Sequence, residues 1–155
     1  MPSVFADDDF GALQAQFAVF RVLLAYHDPR LADVLDSHRL TPELYASSWF
    51  VTLLTNRLSP LVLQRFLDLV LLDASTDFCF FFFLALLLSK RRRVIQRRHS
   101  AELPELLCDF TAIQSERQII RLREYAERLR AMTPRSARKQ VCRVTSQRVD
   151  VLGQE

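Results

Sequence analysis

A run of eleven apolar residues, FCFFFFLALLL at positions 78–88, constrains the fold of this chain more than any other feature. An acidic residue, Asp77, precedes the run, and the basic residues Lys90 to Arg93 follow it closely. A helix that spans a membrane needs about 17–25 apolar residues, so this run is too short to cross a bilayer. Because it has no polar face, we predict a core helix that is buried on all sides. The alternative is a small helical protein that associates with a membrane through the run and its basic flank.

Proline follows a capping residue at several points, and these pairs predict where helices begin. The pairs are Asp28-Pro29, Thr41-Pro42 and Ser59-Pro60. In each pair the first residue has a side-chain oxygen that can accept a hydrogen bond from an unpaired backbone N–H, and the proline suits the first helical turn. We therefore expect helices to start near residues 29, 42 and 60. Asp77 is expected to cap the phenylalanine-rich helix in the same way.

The segments between these signals have a helical period, which predicts an all-α fold with six to seven helices. Residues 114–131 form an amphipathic pattern that we expect to dock on its own domain, with a short coiled coil as the alternative. A chain of 155 residues fits one domain. Within it we distinguish an acidic N-terminal segment (1–11), a helical domain (12–100), a helical extension (101–132) and a basic, flexible tail (133–155).

Charge is distributed unevenly along the chain. Residues 1–89 carry 5 basic and 10 acidic side chains, whereas residues 90–148 carry 16 basic and 6 acidic ones. Arginine binds carboxylates and phosphates through a planar fork, so the second part would suit an acidic partner. A solvated charged surface is the plainer interpretation. No aromatic residue interleaves the basic run 90–98, so we expect no nucleic-acid partner.

The sequence contains no combination of residues typical of an enzyme or a metal site. His27, His38 and His99 form no HExxH or HxxxH pair, and the three cysteines form no CxxC. The two glycines make no phosphate-binding loop. His27 beside Asp28 could be a base with an orienting acid, but we interpret the two as a polar pair at a helix junction. We therefore expect no catalytic, cofactor-binding or metal-binding residue and no cofactor.

Residues 26–95, which include PELYASSW at 42–49, resemble the C-terminal half of a TBC domain, the all-helical domain of Rab GTPase-activating proteins. Leu67 stands where the family usually has tryptophan. The resemblance implies that residues 12–100 form part of a TBC-like domain and that the matching residues are structural. These residues are Leu35, Pro42, Leu44, Tyr45, Ala46, Trp49, Asp68 and the helix at 78–88.

Active members of that family insert an arginine from an IxxDxxR motif and a glutamine from a YxQ motif into the nucleotide site of a Rab GTPase. Neither motif occurs in this sequence. Both belong to the half of the domain that precedes the matching region, so the resemblance carries no finger residue to this chain. No enzymatic activity is therefore expected of the chain, which we interpret as a truncated gene model, a fragment or a subunit whose other half is supplied elsewhere.

A narrower resemblance concerns residues 125–139, YAERLRAMTPRSARK, and the HDP element at 27–29. Both are similar to a non-catalytic branch of the family that links endosome-derived vesicles to golgins at the trans-Golgi network. This implies an adaptor in endosome-to-trans-Golgi tethering, with golgins or other trafficking proteins as partners and a Rab GTPase as a further candidate. It also implies a cytoplasmic location at trans-Golgi and endosomal vesicles. A fragment of a Rab GTPase-activating protein is the alternative, and peripheral membrane association stays open.

Overall fold

The computed structural model describes residues 4–55, 57–73, 77–108 and 113–152, with side chains described between residues 10 and 146. These residues form ten helices and no strand, which confirms the all-α prediction. The count exceeds six to seven because four helices are short, with six residues or fewer. The helices are α1 (Val4–His27), α2 (Pro29–Ser37), α3 (Pro42–Tyr45), α4 (Ser47–Thr52), α5 (Pro60–Leu72), α6 (Phe78–Ser89), α7 (Arg91–Gln96), α8 (Leu103–Leu107), α9 (Glu116–Met132) and α10 (Arg135–Leu152).

Helix α6 forms the centre of the hydrophobic core. All of its residues except Cys79 and Ser89 are buried. Helices α1, α7 and α9 pack around it. The prediction of a core helix buried on all sides is confirmed, and in this fold the apolar run is not available to lipid. No helix in the described part of the chain has the length and apolar character that a membrane span requires.

The proline signals mark the observed helix starts. Helices α2, α3 and α5 begin at Pro29, Pro42 and Pro60, as expected. Asp28 also caps α2, since its carboxylate accepts a hydrogen bond from the Leu31 backbone N–H at 3.0 Å. At α3 and α5 the preceding side chain makes no capping hydrogen bond. The fixed backbone angle of proline therefore marks those starts without help from a side-chain cap.

The prediction that Asp77 caps α6 is wrong in its detail. Asp77 occupies the position before the helix, but its side chain makes no capping hydrogen bond. Its carboxylate accepts a hydrogen bond from the Arg130 guanidinium of α9. Asp77 is buried, and an ionic partner compensates a buried carboxylate better than one backbone N–H.

Helix α9 docks on its own domain, which confirms the favoured interpretation of residues 114–131. Its buried residues are Ile119, Leu122, Ala126 and Leu129, and they face α6. A capping box at Ser115 and Gln118 begins the helix. The amphipathic stripe is therefore part of the core and not a coiled-coil seam.

The flexible tail predicted over 133–155 differs from the structure, because residues 135–152 form α10. Val141 and Val144 are buried, and the helix packs along α1. Two valines are too few to stand out among the many arginines, so the composition misled the prediction. The acidic segment 1–11 is also not separate, since α1 begins at Val4. Residues 1–3 and 153–155 lie outside the described residues.

Candidate functional site

The described residues contain no group of histidine, cysteine and acidic side chains that could hold a metal ion. The candidate functional residues are therefore those of the PELYASSW motif and the arginines. Each of these sets divides into side chains that hold the fold together and side chains that face solvent.

Half of the motif is buried in the fold. Pro42, Tyr45, Ala46 and Trp49 are buried. The ring centroids of Tyr45 and Trp49 lie 5.7 Å apart, and the Trp49 centroid lies 6.3 Å from that of Phe83 in α6. These contacts fix α3 and α4 on the core. We call Tyr45 and Trp49 the aromatic bracket, because Trp49 contacts both Tyr45 and the Phe83 ring of α6.

Two of the residues that the family resemblance marks as structural face solvent. Leu44 in α3 is 65% exposed, and Asp68 in α5 is also exposed. Packing within the described residues explains neither side chain. Leu44 is therefore a surface side chain next to a buried tyrosine.

The Tyr45 hydroxyl is a buried polar group without a hydrogen-bond partner among the described residues. Burial raises the pKa of Tyr45 strongly, and the nearby carboxylates of Asp36 and Glu43 raise it further. The aromatic ring therefore contributes packing, while the hydroxyl contributes a desolvation cost.

Replacing Tyr45 with phenylalanine is expected to raise the free energy of unfolding by about 1 kcal/mol, because the substitution removes an unpaired buried hydroxyl and keeps the ring. Chemical denaturation measures this change. A second effect is expected above pH 10. The raised pKa keeps the phenol neutral in the fold while it ionises in the unfolded chain, so the wild type loses stability as the pH rises and Tyr45→Phe loses less. Loss of stability in Tyr45→Phe at neutral pH would reveal a hydrogen bond that the structure lacks.

His27 and Asp28 lie at the junction of α1 and α2 and bind different partners. The His27 Nε2 atom lies 2.9 Å from the Thr133 hydroxyl oxygen, and burial lowers the pKa of His27. The Thr133 hydroxyl donates to the Leu129 carbonyl at 2.6 Å, so Nε2 is the donor to Thr133. Asp28 accepts hydrogen bonds from the Leu31 N–H and from Arg91. This arrangement agrees with a helix-junction role and not with a base oriented by an acid.

The basic run after α6 is not one continuous surface patch. Lys90 is only 2% exposed, and its ammonium donates to the carbonyl oxygens of Leu106 and Leu107 at 3.2 and 3.0 Å. Arg91 forms an ion pair with the Asp28 carboxylate. Sequence analysis missed the burial of Lys90. The position of Lys90 at the end of the apolar run was the one feature of the sequence that could have predicted its burial.

A second ionic cluster joins α6, α9 and α10. The Arg130 guanidinium binds the Asp77 carboxylate and lies 3.7 Å from the Asp73 carboxylate. The Cys142 thiol of α10 donates to Asp77 at 3.9 Å. The cluster ties the start of the core helix to α9 and α10.

The remaining cations form the exposed basic surface. On α7, α9 and α10, six exposed cations have neither an ion pair nor a ring contact among the residues whose side chains are described: Arg92, Arg117, Arg121, Arg135, Lys139 and Arg143. Charge on these helices is therefore available to a partner, whereas Lys90, Arg91 and Arg130 serve the fold.

Comparison with known proteins gives matches over part of the chain. Residues 1–95 match the family model of the Rab-GTPase-TBC domain. The TBC domain-containing protein kinase-like proteins of Homo sapiens and Mus musculus are each 36% identical over 52 residues, which cover 34% of this chain. The protein of that name from Dictyostelium discoideum is 33% identical over 73 residues, or 47% of the chain. The chain spans only 6–7% of the length of these relatives. No solved structure matches it.

Proposed function

The chain belongs to the Rab-GTPase-TBC domain family, and we propose that it acts as a non-catalytic, TBC-type adaptor in vesicle trafficking. The matched residues include α1 to α6, with the aromatic bracket of Tyr45 and Trp49 on the central helix. Helices α8 to α10 lie beyond the match and cover part of the same core. The adaptor is therefore a TBC-type helical core with additional helices packed on it.

The observation that carries the non-catalytic part of the proposal is the lack of IxxDxxR and YxQ in the sequence. Two arginines within the matched region also form ion pairs with residues of the fold. Arg21 forms an ion pair with Asp36 at 2.9 Å, and Arg65 forms one with Glu116 at 2.9 Å. An arginine finger must reach the transferred phosphoryl group of the Rab, which these ion pairs oppose.

The chain alone is expected not to accelerate GTP hydrolysis by a panel of Rab GTPases. An arginine finger is worth about 10³–10⁵ in rate, so its action would be unmistakable. Phosphate release under single-turnover conditions measures the rate, with an active TBC domain as the positive control. Acceleration by the chain alone would contradict the adaptor proposal and favour the alternative, a piece of a Rab GTPase-activating protein.

We assign the partner contact of the adaptor to the face of α3 that carries Leu44. The other apolar residues of the motif are buried, so packing accounts for them, whereas Leu44 is 65% exposed. Leu44→Asp should weaken binding of a Rab or golgin partner, measured by calorimetry. Leu61→Asp is the matched control, because Leu61 is 82% exposed on α5 and outside the motif. Equal loss in both variants would contradict this assignment.

The narrower proposal places the adaptor in endosome-to-trans-Golgi tethering, in the cytoplasm, with golgins as partners. It rests on the resemblance of residues 125–139 and of the HDP element. In the structure these segments meet, since His27 contacts Thr133. The relatives named above carry a different description, so they do not support this branch in particular. Imaging of the tagged chain beside trans-Golgi and endosomal markers tests the location.

A further inference from the structure

Helices α1 and α10 form an antiparallel pair at the surface. At one end the His27 Nε2 atom lies 2.9 Å from the Thr133 hydroxyl, just before α10 begins. Near the middle of both helices the Gln16 side chain donates to the Val144 carbonyl at 3.3 Å. Val141 and Val144 point inward. The opposite side of α10 is therefore the outer side of the pair.

This outer side carries a stripe of positive charge. Arg135, Lys139 and Arg143 follow one another at intervals of four residues, so they lie on the same face of the helix, and all three are exposed. No acidic residue occurs between Glu127 and Asp150. The three cations also have no ion pair among the residues whose side chains are described.

Exposed apolar side chains lie beside the first turn of α10. Met132, the last residue of α9, is 66% exposed. Tyr26 is 56% exposed and precedes His27, which contacts Thr133. Val22, one turn earlier in α1, is 64% exposed. An exposed methionine thus precedes the row of cations by three residues, and an exposed tyrosine and valine lie on α1 near its contact with Thr133.

We propose that this outer face of the α1–α10 pair binds the anionic phospholipid headgroups of a bilayer. Basic residues on a helix are attracted to a negative membrane surface, and exposed apolar or aromatic side chains at the same place can enter the headgroup region. An acidic peptide would be the other polyanionic partner, but it does not account for the exposed Met132, Tyr26 and Val22.

Vesicle flotation tests this proposal. The full chain is expected to bind vesicles of phosphatidylcholine mixed with phosphatidylserine, and not vesicles of phosphatidylcholine alone. Each basic residue near an anionic surface strengthens binding about fivefold. The variant Arg135→Gln/Lys139→Gln/Arg143→Gln should therefore bind about 100-fold more weakly. Added salt should weaken wild-type binding, and Met132→Ser should weaken it further at high salt.

A matched control removes the same charge elsewhere. Arg92, Arg117 and Arg121 are exposed and have no ion pair among the described residues. They lie on α7 and in the first half of α9, away from the end of α9 that leads into α10. Arg92→Gln/Arg117→Gln/Arg121→Gln should keep most of the binding. Circular dichroism confirms that both variants remain folded.

Three outcomes would overturn the proposal. Equal loss in the two triple variants would indicate attraction by net charge alone. Unchanged binding of the α10 variant would remove the stripe from the interaction. Binding of a polyglutamate peptide through the stripe, without binding to vesicles, would assign it to an acidic protein. These results are independent of the Rab assay, so the membrane surface and the adaptor proposal can fail separately.

Discussion

Replacing Trp49 with alanine is expected to lower the free energy of unfolding by about 3–5 kcal/mol. Trp49 has no exposed surface, and its ring packs between Tyr45 and Phe83. Alanine would leave a cavity where α4 meets the central helix. Because a domain of this size is stable by only about 5–15 kcal/mol, the loss would be a large part of the total.

Urea unfolding followed by circular dichroism measures this effect. Val51→Ala is the matched control, because Val51 lies two residues away in α4 and is 57% exposed. That change should alter stability by less than about 0.5 kcal/mol. Similar midpoints for Trp49→Ala and the wild type would contradict the aromatic bracket.

Replacing Arg130 with methionine is expected to cost about 3 kcal/mol. The side chain of Asp77 is 6% exposed, and removal of Arg130 would leave its carboxylate buried without its ionic partner. The Arg130 side chain itself is 26% exposed. Water can therefore reach one side of the pair, which places the expected cost at the low end of the range for buried pairs.

A double-mutant cycle identifies the source of that cost. Asp77→Asn in the Arg130→Met background removes the buried charge and should recover part of the stability. Arg121→Met is the control on the same helix, since Arg121 is exposed and has no ion pair among the described residues. If Arg121→Met and Arg130→Met cost the same, the pair with Asp77 contributes nothing measurable.

The sequence predicted those parts of the fold that local chemistry determines. The fixed angle of proline is a property of one residue, and it placed the starts of α2, α3 and α5. The run at 78–88 is apolar on every side, so a helix formed by it in water has to be buried on every side. The stripe of α9 was readable because its apolar residues recur at helical spacing.

Long-range pairing was not predictable in the same way. Asp77 was assigned to its own helix, but its partner Arg130 lies 53 residues away. Lys90 looked like a surface cation, but the carbonyl oxygens of α8 enclose it. Helix α10 was not predicted because Val141 and Val144 are recognisable as core residues only when α1 lies beside them. Such contacts depend on where the chain folds back, which local patterns do not encode.

The candidate site shows the same division. The motif predicted that Tyr45 and Trp49 would be structural, and the structure packs both against the core. That Leu44 faces solvent could not be read from the motif, since α3 has only four residues and no period can be measured over them. The basic stripe of α10 needed the helix itself, because in a flexible tail the same cations would share no face.

The covering of α6 by α9 has a consequence for the newly made chain. Helix α9 begins at Glu116, so the ribosome completes the phenylalanine-rich segment well before its cover exists. Until then the rings attract chaperones or neighbouring nascent chains. A recombinant polypeptide that stops at residue 95, where the family match ends, would lack α9, so its phenylalanine-rich helix would stay uncovered on that side. Expression boundaries should therefore extend beyond Met132.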